Sequence, residues 1–439
     1  MEQQFSPISI HLSKIIDKET KKKNGIYFTP NSIIKHMCDN MIKYVNKNIT
    51  SEINKIIDPA CGSCEFFKYL NHIPKFSENT LFYGIETNAT ILNAIQTPEF
   101  TTEVIGNNAT NKLTILNADG VTNHIGGADI VIGNPPYCVV KKQDTPKQYD
   151  RYIVGRSNTF CLFILSGLDN LKVGGLLNYV VPSSFLNSSY YSQIRKLIKE
   201  TCEILTITDY TSEQYNEFID TQQPTIGILL RKNIERIDNE MMNEQNEKNG
   251  IIMEIEDCEY SIYMTGTDNV IFSPNASEIR ELFNGSTTIA NLGLKVKTGT
   301  VVWNQRKEDL TDDSTKTLLI YNTNVAKTNS LAITSFKNGE KKQYINDENG
   351  KTEGVLVVNR GNGNAQYKLS YALVDGTSQP YLVENHLNVI YGDMSLTGEL
   401  YAKIIASFND SRTTKFIELF LGNNGLSKTE LERIFPIWV

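Results

Sequence analysis

Asn134, Pro135, Pro136 and Tyr137 stand directly after the apolar run Asp129-Ile130-Val131-Ile132-Gly133. A strand that ends in a rigid Pro-Pro turn projects side chains and carbonyls from the carboxyl edge of its sheet. Open α/β sheets hold their ligands at that edge. Asn134 offers a side-chain oxygen and Pro135 a backbone carbonyl, so two acceptors lie side by side. An exocyclic amino nitrogen such as that of adenine is a poor nucleophile, because its lone pair is delocalised into the ring. Acceptors on its two hydrogens hold the nitrogen nearer to tetrahedral geometry. They also stabilise positive charge as it attacks a sulfonium methyl. Tyr137 adds an aromatic face on which a base can stack. The plain alternative is a strand-capping turn, but Asn-Pro-Pro-aromatic after an apolar strand is rare by chance.

Three further features sit where strands are expected to end. Asp58-Pro59-Ala60-Cys61-Gly62-Ser63-Cys64 is a small-residue turn leading into a helix, a form that lets backbone amides approach a ligand closely. Glu86 closes the next apolar run and is placed to accept from ribose hydroxyls, as acids do in dinucleotide-binding folds. Asp119 follows the third run and can accept from an adenine amino group. Each alone is more often a turn, a helix cap or a surface acid. Four such elements at the ends of four successive strands are much less often accidental.

The elements that must position them alternate between strand and helix, the pattern of a parallel α/β sheet. Strands are expected at Lys55–Asp58, Leu81–Glu86, Leu113–Leu116, Asp129–Ile132, Leu177–Val181, Ile204–Thr208 and Thr225–Leu230. Helices are expected at Glu65–His72, from Ala89, at Thr159–Leu171 and at Tyr190–Glu200. Residues 233–250 shift to Asn, Glu, Lys and Met and read as a linker or surface excursion. Beyond it come short β runs at Thr300–Trp303, Thr317–Tyr321, Gly354–Asn359 and Tyr371–Val374, then helices at Leu396–Phe408 and Thr414–Phe420. The division is therefore 1–232 for a catalytic domain, 233–250 for the linker, and 251–439 for a second, β-rich domain.

Bulk properties bound the reading. A chain of 439 residues with 40% hydrophobic and 21% charged residues has material for two soluble domains. No apolar run approaches a membrane span and no signal peptide opens the chain, so a cytoplasmic protein is expected. Seven scattered cysteines read as reduced thiols. Cys61 and Cys64 form a CxxC, but no second pair follows, so no metal is expected. A net charge of −7 argues mildly against a nucleic-acid coat, yet a local basic cleft suffices for DNA. Candidate basic stretches are Lys141, Lys142 and Lys147; Arg195, Lys196 and Lys199; and Lys295, Lys297, Arg306, Lys307 and Arg360.

In these motifs the chain resembles the N6-adenine DNA methyltransferases of restriction–modification systems, in the class whose cofactor loop precedes the Asn-Pro-Pro-Tyr loop. The resemblance implies a Rossmann-like class I methyltransferase sheet, S-adenosyl-L-methionine as cofactor, double-stranded DNA as substrate, and base flipping. A separately encoded restriction endonuclease is a possible partner, and a monomer is expected. Asn24 to Pro30 looks like the family's N-terminal segment at the cofactor pocket, and Thr29 is its candidate residue. Asp58, Pro59, Ala60, Cys61 and Gly62 look like the cofactor loop, Glu86 the ribose acid and Asp119 the adenine-side acid. Asn134, Pro135 and Tyr137 look like the catalytic loop, with Pro136 on the cofactor side. Phe218, with Tyr215 second, resembles the late-hairpin aromatic that stacks on the flipped base. The family usually has Gly where this chain has Cys64, and a side chain there is expected to crowd the loop. Lys297 to Asn304 and Tyr381 to His386 resemble target-recognition domains, and Arg360 to Asn364 suits a loop approaching DNA.

Enzymes that methylate protein glutamine or guanine N2 in RNA share the Asn-Pro-Pro-Tyr logic, but neither is expected to carry the Asn24 to Pro30 segment and a large β-rich domain. Cytosine N4 uses the same lone-pair chemistry. A specificity subunit with a dead catalytic half is countered by the intact Asn134 loop. Cytosine C5 chemistry needs a Pro-Cys loop, and here the loop is Pro-Pro-Tyr.

Overall fold

The computed structural model describes the chain apart from residues 1–3, 50, 74–75, 77–78, 106–111, 156, 212–222, 234–250, 266–268, 326–330, 334–335, 337, 362–366, 376–378, 393–396 and 422–424. It divides into two compact units, Met1–Pro274 and Asn275–Val439.

The first unit is built on seven strands: β1 (Lys55–Asp58), β2 (Leu81–Glu86), β3 (Lys112–Asn117), β4 (Ala128–Gly133), β5 (Leu171–Pro182), β6 (Cys202–Asp209) and β7 (Thr225–Lys232). Their order in the sheet is β3-β2-β1-β4-β5-β7-β6. All neighbours run parallel except β7, which is antiparallel to both β5 and β6. This is a Rossmann-like sheet, as the resemblance implies. The order reverses between β1 and β4, so the crevice above their carboxyl ends is the expected ligand site.

Two short helices, α1 (Pro7–Ile15) and α2 (Lys18–Asn24), precede the sheet. Strand alternation explains why both of its faces are covered. On one face Ile56, Phe82, Ile130 and Ile132 pack with Met37 and Met41 of α3 (Asn31–Asn48) and Phe67 and Leu70 of α4 (Glu65–Asn71). On the other, Ile57, Val131, Leu177 and Tyr179 pack with Phe160 and Ile164 of α5 (Thr159–Asn170) and Ile194 and Ile198 of α6 (Ser192–Thr201). Such strands, buried on both sides, read as continuous apolar runs in the sequence.

The expected domain boundary at 250/251 differs from the observed division after Pro274. Strands β8 (Ile251–Glu254), β9 (Ser261–Thr265) and β10 (Asn269–Ser273) form a small antiparallel sheet of the first unit. Ile262, Met264, Val270 and Phe272 complete the core on the α5–α6 face. The buried Arg195 guanidinium donates to the carbonyls of Phe185 at 2.8 Å and Ser188 at 2.9 Å, and its Nε donates to Val270 O. Arg195 and Lys199 are thus core residues, which corrects their reading as a basic DNA surface. Lys141, Lys142 and Lys147 are exposed.

The second unit holds two four-stranded sheets. One orders Lys295–Thr298, Leu387–Tyr391, Val355–Asn359 and Tyr371–Val374; the other orders Leu310–Thr311, Tyr344–Ile345, Thr317–Ile320 and Tyr381–Val383. They share a core of Leu318, Val357, Val383 and Val389. The strand expected at Thr300–Trp303 is instead a single bridge at Val301 followed by a tight turn, Trp303–Gln305. A Cβ at Gly299 would lie 2.2 Å from Glu384 O, so the strand Lys295–Thr298 ends at this close crossing. The segments around Gly299, Arg360 and Glu384 meet: Gly299 N donates to Leu387 O, and Arg360 Nη1 donates to Asn385 O at 3.0 Å. Asn362 to Asn364 lie outside the described residues. Among the described residues no helix is long and apolar enough to cross a membrane.

Candidate active site

A cavity of about 720 Å³ opens over the carboxyl ends of β1, β2, β3 and β4. Its wall includes Pro59, Ala60, Gly62, Glu86, Asp119, Asn134 and Pro136. That volume suits a ligand of nucleoside size or larger.

The turn after β1 is shaped by backbone bonds. Cys61 N donates to Ile85 O at 3.0 Å, and Gly62 adopts φ +49° with no atom within 4 Å of where a Cβ would stand. Its backbone is therefore open to the cavity. Gly62 N donates to Glu86 Oε2 at 3.2 Å, while Glu86 Oε1 accepts from Thr87 N and Asn88 N at 2.8 and 2.7 Å. Burial raises the Glu86 carboxyl pKa, and these three amides oppose the shift. The acid at the end of β2 is thus rigidly aimed. Asp119 is exposed, its Oδ1 accepting from Val121 N at 2.8 Å. Gly120 beside it is obligatory, because a Cβ there would lie 1.9 Å from Pro59 O. A glycine cradle, a fixed carboxylate and a second, exposed carboxylate form a set of acceptors and open backbone that fits a nucleoside carrying ribose hydroxyls and an adenine amine.

Asp58 and Cys61 are buried and stand behind the wall rather than on it. Asp58 Oδ1 accepts from Ala60 N at 3.0 Å and sits 2.6 Å from where a Gly133 Cβ would be. The glycine that precedes Asn134 therefore makes room for this carboxyl. Burial pushes the Asp58 pKa up to about 8, the Ala60 amide opposes the shift, and the charge of Glu86 adds to it. Cys64 does hold a left-handed backbone, φ 58° and ψ 28°, the conformation that favours glycine. Its side chain is fully buried against the α3–α4 core and does not line the cavity, so it does not crowd the ligand space.

The catalytic-loop candidates are held from both sides. Asn134 Nδ2 donates to Thr29 Oγ1 at 3.0 Å and to Tyr27 O at 3.3 Å. The amide oxygen is thereby turned the other way and accepts from Tyr137 Oη at 2.5 Å. Tyr137 Oη also reaches Val180 O at 3.2 Å. Burial holds the Tyr137 phenol well above its ordinary pKa, so it remains a neutral donor. On the far side Thr159 Oγ1 donates to Pro136 O and accepts from Cys138 N at 2.9 Å. Among the described residues no donor reaches the Pro135 carbonyl. The Tyr137 ring meets Phe160 edge-on at 6.2 Å and lies within 30° of parallel to Tyr27 at 6.4 Å.

Thr29 is buried, and its hydroxyl faces Asn134; it is Asn24 to Phe28 that line the cavity. Phe218 and Tyr215 lie outside the described residues. The sequence reading missed Thr159 and the apolar wall of Val121, Leu162 and Phe163. The last two belong to α5, whose uniformly apolar run gives no sign of which residues reach the cavity. Among the described residues no three His, Cys, Asp or Glu side chains gather as a metal site.

Residues 67–216 match the family model described as Eco57I restriction-modification methylase. The chain is 24% identical over 98% of both chains to the type II methyltransferase M.CvrRI of Paramecium bursaria Chlorella virus XZ-6E. It is 23% identical, again over 98% of both, to the modification methylase CviBIII of Paramecium bursaria Chlorella virus NC1A. Among solved structures, the type I restriction-modification methyltransferase subunit from Streptococcus thermophilus aligns with a TM-score of 0.40 at 21% identity, covering 52% of this chain and 49% of its own.

Proposed function

We propose that the chain transfers a methyl group from S-adenosylmethionine to the N6 amino group of a flipped adenine in double-stranded DNA, a reading supported by the match of residues 67–216 to a restriction-modification methylase model. The modification protects DNA against a cognate restriction enzyme. The observation that carries this reading is the held Asn134 amide on the cavity wall. Asn134 has its amide nitrogen tied back and its oxygen turned away from that tie, next to a Pro135 carbonyl that no described donor reaches.

Bound in the cavity, S-adenosylmethionine supplies a methyl group activated by sulfonium charge. Glu86 accepts from its ribose hydroxyls and Asp119 from its adenine amine. Asn134 Oδ1 and Pro135 O each accept one hydrogen of the target amine. They hold the nitrogen nearer to tetrahedral and stabilise the positive charge that grows on it. The adenine must leave the duplex to reach them, at a cost of a few kcal/mol. Stacking offsets roughly 1–3 kcal/mol per base, a role the resemblance gives to Tyr137 and Phe218. The second unit is the target-recognition domain, since phosphate contacts position a protein on DNA while base contacts specify the site.

Replacing Asn134 by Ala removes one acceptor from the target amine. The expected loss is about 10²–10³ in turnover. Cofactor affinity, measured by calorimetry, is expected to stay within about threefold, because most of the cavity wall is unchanged. Turnover near the unmodified rate would overturn the assignment.

A further inference from the structure

We infer that the N-terminal segment from Lys23 to Thr29 is a clamp on the catalytic loop, and that Thr29 is a positioning residue that holds the Asn134 amide in the orientation the Tyr27 carbonyl selects. The inference rests on the reading that Asn134 accepts from the target amine. It gives Thr29 a task distinct from holding the cofactor.

Four contacts carry it. Gly25 adopts φ +64°, and a Cβ there would lie 2.7 Å from Tyr137 N, 2.9 Å from Cys138 Sγ and 3.1 Å from Pro136 Cβ. The segment is therefore pressed against the catalytic loop as closely as a backbone allows. Cys138 Sγ donates to Lys23 O at 3.1 Å, closing the contact at its far end. Asn134 Nδ2 donates to Tyr27 O and to Thr29 Oγ1. Thr29 is itself buried, so its hydroxyl is held in place.

An asparagine amide is nearly symmetric in shape but opposite in polarity at its two ends. Turned over, Asn134 would present two hydrogens to an amine that also carries two hydrogens, and the charge-stabilising contact would become repulsion. Packing alone does not choose between the two orientations. Here the choice is made by one acceptor that cannot donate, the Tyr27 carbonyl, and the Thr29 hydroxyl beside it, which can do either, adds a second bond that holds the amide there. Tyr137 Oη donating to Oδ1 agrees with that choice. The same pocket discriminates against aspartate. A carboxylate at 134 would keep an acceptor for the substrate but would turn its second oxygen onto the Tyr27 carbonyl, with like partial charges facing.

The test compares Thr29→Val, Thr29→Ser and Asn134→Asp in the full-length protein. Turnover is measured on duplex DNA at saturating cofactor, and S-adenosylmethionine affinity by calorimetry. Thr29→Val is expected to lose about tenfold in kcat with cofactor Kd within about twofold, and Thr29→Ser to recover most of it. Asn134→Asp is expected to lose about as much as Asn134→Ala, although it retains the oxygen.

A readout independent of turnover is the pair of Asn134 side-chain amide protons in a nitrogen-15 spectrum, assigned by their loss in Asn134→Asp. Strong protection from exchange in the unmodified protein, lost in Thr29→Val and regained in Thr29→Ser, supports the clamp whatever the substrate proves to be. Unprotected protons in the unmodified protein, or unchanged protection in Thr29→Val, overturns it. So does a Thr29→Val protein with unchanged kcat, or one whose cofactor affinity alone collapses. Protected, Thr29-dependent protons in a protein that methylates no DNA would leave the clamp standing and refute the proposed substrate.

Discussion

At the scale of single residues, the strand-end positions that line the cavity, Pro59, Glu86, Asp119 and Asn134, were legible because each follows an apolar run. What sequence could not give was direction. Asp58 and Cys61 lie in the turn after β1 that the sequence reads as a cofactor loop, yet their side chains are buried and do not line the cavity. That burial has a consequence for pH. The Asp58 pKa rises from 3.8 to about 8 on folding. The folded chain therefore holds a proton that the unfolded chain has released between these values, and stability from this group falls as pH rises through that window. Asp58→Asn abolishes the titration while keeping an acceptor for Ala60 N. Relative to the unmodified cofactor-free protein, its melting temperature is expected to rise from pH 5 to pH 8 and to level off above. A difference that does not vary with pH would show that Asp58 is charged throughout. Cys64 is the converse case, a departure visible in sequence whose effect was misplaced. Cys64→Gly relieves a left-handed backbone worth about 1 kcal/mol but deletes a buried side chain of similar value. Stability is expected to change by less than about 1 kcal/mol, and calorimetry should find cofactor affinity unchanged within about twofold. Affinity gained tenfold would mean that the side chain does reach the ligand.

At the scale of elements, strands buried on both faces were the most legible features. β1 and β2 fall on the expected residues, and β4 differs by one residue at each end. β5 runs longer than expected, from Leu171, because Gly174 and Gly175 interrupt its apolar pattern and lie in a bulge, after which pairing with β4 resumes at Leu176. The small β8–β10 sheet was not read at all. Its attachment depends on Arg195, whose charge marks it in sequence as surface although it is fully buried among carbonyls. Arg195→Met removes the donors and leaves three buried acceptors, each costing roughly 1–3 kcal/mol when unpaired. The variant is expected to lose at least about 3 kcal/mol in urea unfolding. Amide exchange should rise first in Asn269–Ser273. Uniform exchange through the unit would contradict a local role for the guanidinium.

At the scale of the whole molecule, the parallel sheet was legible from alternation of strand and helix, and the β-rich character of the second unit from its short runs. The division between units was not, because Ile251–Ser273, read as the start of the second domain, forms three strands whose apolar residues join the core of the first unit. The likeness to M.CvrRI and to CviBIII spans nearly the whole of each chain, so both units have counterparts in those relatives. The chemistry that Asn134 and Pro135 suit is shared by adenine N6 and cytosine N4, and the product decides between them. DNA from cells producing the protein, digested to nucleosides and resolved by mass spectrometry, is expected to contain N6-methyldeoxyadenosine that is absent when Asn134 is replaced by Ala. N4-methyldeoxycytidine in its place, or no methylated nucleoside that depends on Asn134, would contradict the proposed function.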